Sequence, residues 1–127
     1  YINDSKGTNV AATLKAMASM TGSYALIAGG SDKGYDYDEL FTDCTAMPKK
    51  VLAIGETSDK ITAAAHRHGY HSVEKCASLE EAVTEAYASG ADNVLLSPAS
   101  ASFDMFSSYA ERGERFVKIV GELKNIE

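Results

Sequence analysis

Short apolar runs alternate along the chain with stretches whose apolar residues recur every three or four positions. Tyr24-Ala25-Leu26-Ile27-Ala28, Val51-Leu52-Ala53-Ile54 and Asn93-Val94-Leu95-Leu96 are continuous runs without period-two alternation. That is the pattern of parallel strands covered on both faces. Weaker strands are expected at Tyr1–Asn3 and at about Tyr70–Val73. Between the strands, Val10, Leu14, Met17 and Met20 mark a first helix that Gly22 ends, and Leu40 and Phe41 mark a short one from Tyr37 to Cys44. Ile61, Ala64 and Ala65 belong to a third, capped by Ser58 or Asp59 and stopped by Gly69. Ser78-Leu79-Glu80-Glu81 matches a capping box. It opens a fourth helix with Ala82, Val83, Ala86 and Tyr87 on its packed face, ended by Gly90. A long last helix, about Ser107 to Leu123, offers Tyr109, Phe116, Ile119, Val120 and Leu123 to the core. The alternation predicts a single α/β domain over residues 1–127: a three-layer α/β/α fold with a mostly parallel sheet of about six strands. Its first strand, helix and second strand form a βαβ unit, with the two strands paired in parallel.

In such a sheet, ligands gather beyond the carboxyl ends of the strands. Three polar segments rich in small residues directly follow strands: Asp4–Asn9, Gly29–Asp36 and Ser97–Asp104. They bring together two lysines, several hydroxyls and several carboxylates, which suits an anionic or zwitterionic small ligand. In the second, Gly29, Gly30 and Gly34 bracket Lys33. Glycine allows close backbone approach, and a lysine in such a loop is placed to meet an anion. Taken alone the loop reads more readily as an ordinary strand-to-helix turn with a solvated lysine. The convergence of three segments is what points to a site.

Composition narrows the partners. The chain has 127 residues, 45% of them hydrophobic, and a net charge of −6 from 12 basic and 18 acidic residues. With no basic run, nucleic acid and anionic membrane surfaces are poor partners. No apolar segment approaches the roughly 20 residues of a membrane span. The chain opens on Tyr1-Ile2-Asn3-Asp4, with neither a basic leader nor an initiator methionine, so a piece of a longer protein or a processed start is expected. Cys44 and Cys76 form no short motif and read as free thiols of a reducing compartment. His66, His68 and His71 tempt a metal reading. Positions two apart on a helix face different ways, however, and His71 lies beyond Gly69. Ser102 has no histidine or acid partner placed by sequence, so a nucleophilic role is not indicated. Asp104 reads as a turn carboxylate, Asp32 and Asp36 as orienting or screening Lys33, and Ser97-Pro98 as a strand terminator. A stand-alone small-ligand or nucleotide-binding domain without chemistry is the alternative to an enzyme domain, although no G-x-G-x-x-G fingerprint occurs.

The three segments also carry a family resemblance. Asn3-Asp4-Ser5-Lys6-Gly7-Thr8-Asn9, Gly29-Gly30-Ser31-Asp32-Lys33-Gly34-Tyr35-Asp36-Tyr37 and Leu95-Leu96-Ser97-Pro98-Ala99-Ser100-Ala101-Ser102-Phe103-Asp104-Met105-Phe106, extended by Tyr109-Ala110-Glu111-Arg112-Gly113-Glu114-Arg115-Phe116, resemble the C-terminal domain of the Mur ligases. Asp4-Ser5-Lys6 narrows the likeness to the D-glutamate-adding branch. The resemblance implies a Rossmann-like domain of a cytoplasmic, bacterial, ATP-dependent ligase of peptidoglycan synthesis, joining D-glutamate to UDP-N-acetylmuramoyl-L-alanine through an acyl phosphate. It further implies that Lys33 binds a D-glutamate carboxylate. Thr8 and Ser102 would donate hydroxyl hydrogen bonds to it, with help from the backbone around Phe103 and a pocket wall at Tyr109. Asp4 would contact the ATP ribose, and Lys6 would lie near the nucleotide or the reacting centre. Gly7, Ser100 and Tyr109 depart mildly from the family pattern. No G-x-x-x-x-G-K-[ST] loop occurs in the chain. The resemblance implies that this loop and the Mg²⁺ ligands belong to a central domain, and the UDP-sugar site to an N-terminal one. The chain alone is therefore expected to be inactive.

Overall fold

Five parallel strands form one sheet: β1 (Ile2–Asn3), β2 (Tyr24–Gly29), β3 (Lys50–Ile54), β4 (Val73–Lys75) and β5 (Asn93–Leu96). The helices are α1 (Val10–Ala18), α2 (Glu39–Thr42), α3 (Ser58–Arg67), α4 (Leu79–Ala88) and α5 (Tyr109–Ile126). The computed structural model describes residues 2–3, 9–30, 34, 36–43, 46–97 and 109–126. Among these the sheet has five strands rather than about six. The five segments expected as strands account for all of them.

Side chains alternate along each strand and so divide the core in two. Ala25, Ile27, Leu52, Ile54, Val94 and Leu96 pack with Val83, Phe116 and Ile119 of α4 and α5. Leu26, Ala28, Val51, Ala53 and Leu95 pack with Val10, Met17, Leu40 and Ile61 of α1, α2 and α3. The sheet thus lies between two helical layers, as the unbroken apolar strands predict. Burying one such side chain contributes about 1.5–3 kcal/mol.

The strand order is β1-β5-β2-β3-β4. The expected direct pairing of the first two strands is corrected by it, because β5 lies between them and pairs with both. Burial explains the choice. β1 has two residues with Ile2 43% exposed, which suits an edge, whereas Val94, Leu95 and Leu96 of β5 are buried, which suits the interior.

Three further expectations shift for local reasons. The strand expected at Tyr70–Val73 begins at Val73, because Gly69 (φ 77°) and Tyr70 close α3. The Gly69 N–H donates to the His66 carbonyl and the Tyr70 N–H to the Ala65 carbonyl, a Schellman cap. The cap position of α3 falls to Thr57 rather than Ser58 or Asp59, and the Thr57 hydroxyl makes no capping bond. The short helix α2 covers only Glu39–Thr42. The capping box of α4 is present: the Glu81 N–H donates to Ser78 Oγ at 3.1 Å, and Glu81 Oε2 accepts from the Ala77 N–H at 3.1 Å.

Candidate functional site

Because all strands are parallel, their carboxyl ends share one edge of the sheet. The order β1-β5-β2 places the ends of three neighbouring strands side by side there. From these ends, at Asn3, Leu96 and Gly29, the three polar segments leave the sheet. After β2 the chain passes to α2 on one face, and after β5 to α5 on the other. The edge between them is therefore a point where connections diverge, the usual place for a ligand crevice in an open α/β sheet.

The expected ligand-binding residues Asp4, Lys6, Thr8, Lys33, Ser102 and Phe103 lie outside the described residues. Tyr109 opens α5, with its side chain outside the described set. The structure describes the stems that carry them.

The glycine-rich segment starts with a forced geometry. Gly29 has φ 120°, and a Cβ built on it would lie 2.0 Å from the Ile54 carbonyl oxygen of β3. Only glycine fits. Gly30 is then gripped by Thr57, which is fully buried. The Gly30 N–H donates to Thr57 Oγ1 at 3.1 Å, and the Thr57 N–H donates to the Gly30 carbonyl at 3.1 Å. This grip explains why the Thr57 hydroxyl does not cap α3.

Beyond Gly30, a cleft of about 370 Å³ is lined by Gly34, Asp36, Tyr37, Asp38, Lys60, Ala63 and Arg67. Asp36 Oδ1 accepts from the Asp38 N–H at 2.9 Å, closing a tight turn. Asp38 Oδ1 meets Arg67 through Nη2 at 2.9 Å and Nε at 3.1 Å, and His68 Nε2 at 3.0 Å. Hydrogen bonding with Asp36, and next with Arg67, holds the Asp38 carboxyl below its ordinary range. Lys60 Nζ lies 5.9 Å from the centre of the Tyr37 ring. The cleft thus mixes both charge signs beside a buried aromatic, which suits a zwitterion better than a polyanion.

At the end of β5, Ser97 and Thr13 of α1 are both fully buried. The Thr13 hydroxyl donates to the Ser97 carbonyl at 3.0 Å and accepts from the Ser97 hydroxyl at 3.0 Å. Arg112, in the first turns of α5, is 1% exposed and is the largest fully buried side chain among the described residues. Among the described residues, no buried side-chain polar atom lacks a hydrogen-bond partner.

Sequence reasoning did not single out Thr13, Thr57 or Arg112. Thr57 follows a strand end, a usable signal, and Arg112 sits inside a recognised motif. Thr13 carries no local signal at all. The histidines divide: His68 meets Asp38, while the His66 and His71 rings meet at a tilt of 39° with centroids 5.2 Å apart. Among the described residues, no group of three His, Cys, Asp or Glu side chains is placed to hold a metal. No described helix is long and apolar enough to cross a membrane.

Fold and motif order together define a parallel, Rossmann-like α/β domain whose three motif segments adjoin one sheet edge. Comparison with known proteins narrows this. A UDP-N-acetylmuramoylalanine–D-glutamate ligase of Thermoanaerobacter sp. is 44% identical over 128 residues, covering 98% of this chain and 28% of that protein. Enzymes of the same name from Bacillus cytotoxicus and Clostridioides difficile are each 42% identical, over 97% and 98% of the chain respectively and 28% of each relative. No family model matches. The chain is a relative of the Mur ligases, and among them of the D-glutamate ligases. It spans little more than a quarter of the length of these curated relatives.

Proposed function

We propose that this chain is the C-terminal, amino-acid-binding domain of an ADP-forming ligase that adds D-glutamate to UDP-N-acetylmuramoyl-L-alanine in bacterial, cytoplasmic peptidoglycan synthesis. The observation that carries this reading is the placement of the three motif stems on the adjacent strands β1, β5 and β2, at one edge. The identity with D-glutamate ligases over nearly the whole chain supports it.

In the proposed reaction, the carboxylate of UDP-N-acetylmuramoyl-L-alanine is activated as an acyl phosphate at the expense of ATP. The D-glutamate amine attacks its carbonyl carbon, and the tetrahedral adduct expels phosphate. The demands on this domain are charge neutralisation and exact placement of the amine. Lys33 holds a D-glutamate carboxylate as a point charge. Thr8 and Ser102 add hydroxyl donors, the backbone at Phe103 assists, and Tyr109 lines the pocket. Asp4 contacts the ATP ribose, and Lys6 lies near the nucleotide or the reacting centre. The Mg²⁺ ligands, with the phosphate-binding loop, fall to a central domain. This chain's part is to bind and orient, and alone it does not turn over.

The test is phosphate release by the full-length gene product with ATP, UDP-N-acetylmuramoyl-L-alanine and D-glutamate. Release that needs all three supports the reading. Release undiminished without D-glutamate overturns it.

A further inference from the structure

We propose that Thr13 and Ser97 are positioning residues for the D-glutamate site: a buried hydroxyl clip that holds two of the three substrate segments in one register. The inference rests on the proposed ligase function and goes beyond it, since neither residue is assigned to a ligand.

The clip joins distant parts of the chain. Thr13 lies on α1, which the Asp4–Asn9 segment leads into, and Ser97 lies at the end of β5, from which the Ser97–Asp104 segment departs. The two residues are 84 positions apart, and both are fully buried. Their bonding is reciprocal: the Thr13 hydroxyl gives its hydrogen to the Ser97 carbonyl and receives one from the Ser97 hydroxyl, each at 3.0 Å. A hydroxyl that donates and accepts at once is fixed in rotation, and linked hydrogen bonds polarise and strengthen one another.

The location argues for more than packing. Met17, one turn further along α1, packs through apolar contacts, which tolerate small sliding. A closed pair of hydrogen bonds at the end of β5 does not. Thr8 stands five residues before Thr13, and Ser102 five residues after Ser97. The segments that carry the two hydroxyl donors expected for one D-glutamate are therefore joined in sequence to the two sides of a single buried junction. Loosening that junction changes the spacing between the segments without touching the ligand. Substrate placement is sensitive to such shifts, with about a hundredfold loss for roughly 1 Å.

Thr13→Val keeps the side-chain shape and removes the hydroxyl, and Thr13→Ser keeps the hydroxyl. In the full-length enzyme, Thr13→Val is expected to raise the D-glutamate KM about tenfold, a fraction of the loss a full 1 Å misplacement causes. The KM values for ATP and UDP-N-acetylmuramoyl-L-alanine stay within about twofold, and Thr13→Ser restores the D-glutamate KM to near the parent value. A general structural fault would move all three KM values or the amount of folded enzyme together. If Thr13→Val does not fold, Ser97→Ala, which leaves the Thr13–carbonyl bond in place, is expected to raise the D-glutamate KM about threefold. An unchanged D-glutamate KM in the folded variant overturns the clip. Lys33→Ala, measured alongside, separates the two levels. If it raises the D-glutamate KM while the clip variants do not, the clip alone is wrong. If it too leaves that KM unmoved, the reading of the site falls, and the role of the clip with it.

Discussion

A Cβ on Gly29 would sit 2.0 Å from the carbonyl oxygen of Ile54. The two strands β2 and β3 are hydrogen-bonded in register at this pair, so neither backbone can retreat without breaking the ladder. Gly29→Ala is therefore expected to destabilise the fold by more than about 3 kcal/mol, combining overpacking with a backbone conformation that alanine resists. Gly34 offers the contrast. Its φ is 79°, but nothing lies within 4 Å of an added Cβ, so Gly34→Ala should cost only about 1–2 kcal/mol. Urea denaturation of both variants checks the difference, and equal losses would refute it.

Thr57 grips Gly30 through its hydroxyl and its amide. Thr57→Val keeps the shape but leaves the buried Gly30 N–H without that acceptor, a loss of about 1–3 kcal/mol. Thr57→Ser should recover most of it. Native-state hydrogen exchange at Gly30 reads the effect directly: its amide should exchange faster in Thr57→Val than in the parent and Thr57→Ser.

Asp38 makes the fold sensitive to acid. Its carboxyl, held below the ordinary value of 3.8 by Asp36 and Arg67, stabilises the native state in its charged form. The unfolded chain binds the proton more readily, so stability rises with pH across this window. The contribution is fully present above about pH 4 and is lost as pH falls through the lower folded value. Denaturation midpoints measured from pH 6 to pH 2 should show the parent more stable than Asp38→Asn at the upper end, with the gap closing at the lower. A gap independent of pH would contradict this.

Cys76 lies at the end of β4, 6% exposed, with its thiol pushed up to about 12 by burial and by the neighbouring Glu81, Glu74 and Glu85. Very little thiolate exists at pH 8, and thiolate is the reactive form. A thiol reagent should modify Cys76 in the native chain far more slowly than in urea. Rapid native labelling, mapped to Cys76 by mass spectrometry, would contradict the burial.

The fold was legible where apolar runs were long. β2, β3 and β5 lie where their unbroken Val, Leu, Ile and Ala content puts them, and Ser78 and Glu81 open α4 as their spacing indicates. Strand order was not legible, because nothing local in Asn93-Val94-Leu95-Leu96 says that it lies between β1 and β2. Tyr70 misled because aromatic, strand-favouring residues also serve in helix caps, and here Gly69 draws Tyr70 into one. The sequence offered the candidate site as three motifs, of which the structure describes the stems and the residues that brace them. Thr13 and Ser97 meet across 84 positions, and Thr57 grips a loop 27 positions away, relationships that only the folded sheet creates.

The central claim is that the loop bearing Lys33 anchors D-glutamate, and steady-state kinetics of Lys33→Ala in the full-length enzyme test it most directly. Losing a charge-assisted hydrogen bond of about 1.5–3 kcal/mol predicts a D-glutamate KM raised roughly 10- to 100-fold, with the ATP KM little changed. A Lys33→Ala enzyme with parental D-glutamate KM and kcat would contradict the account.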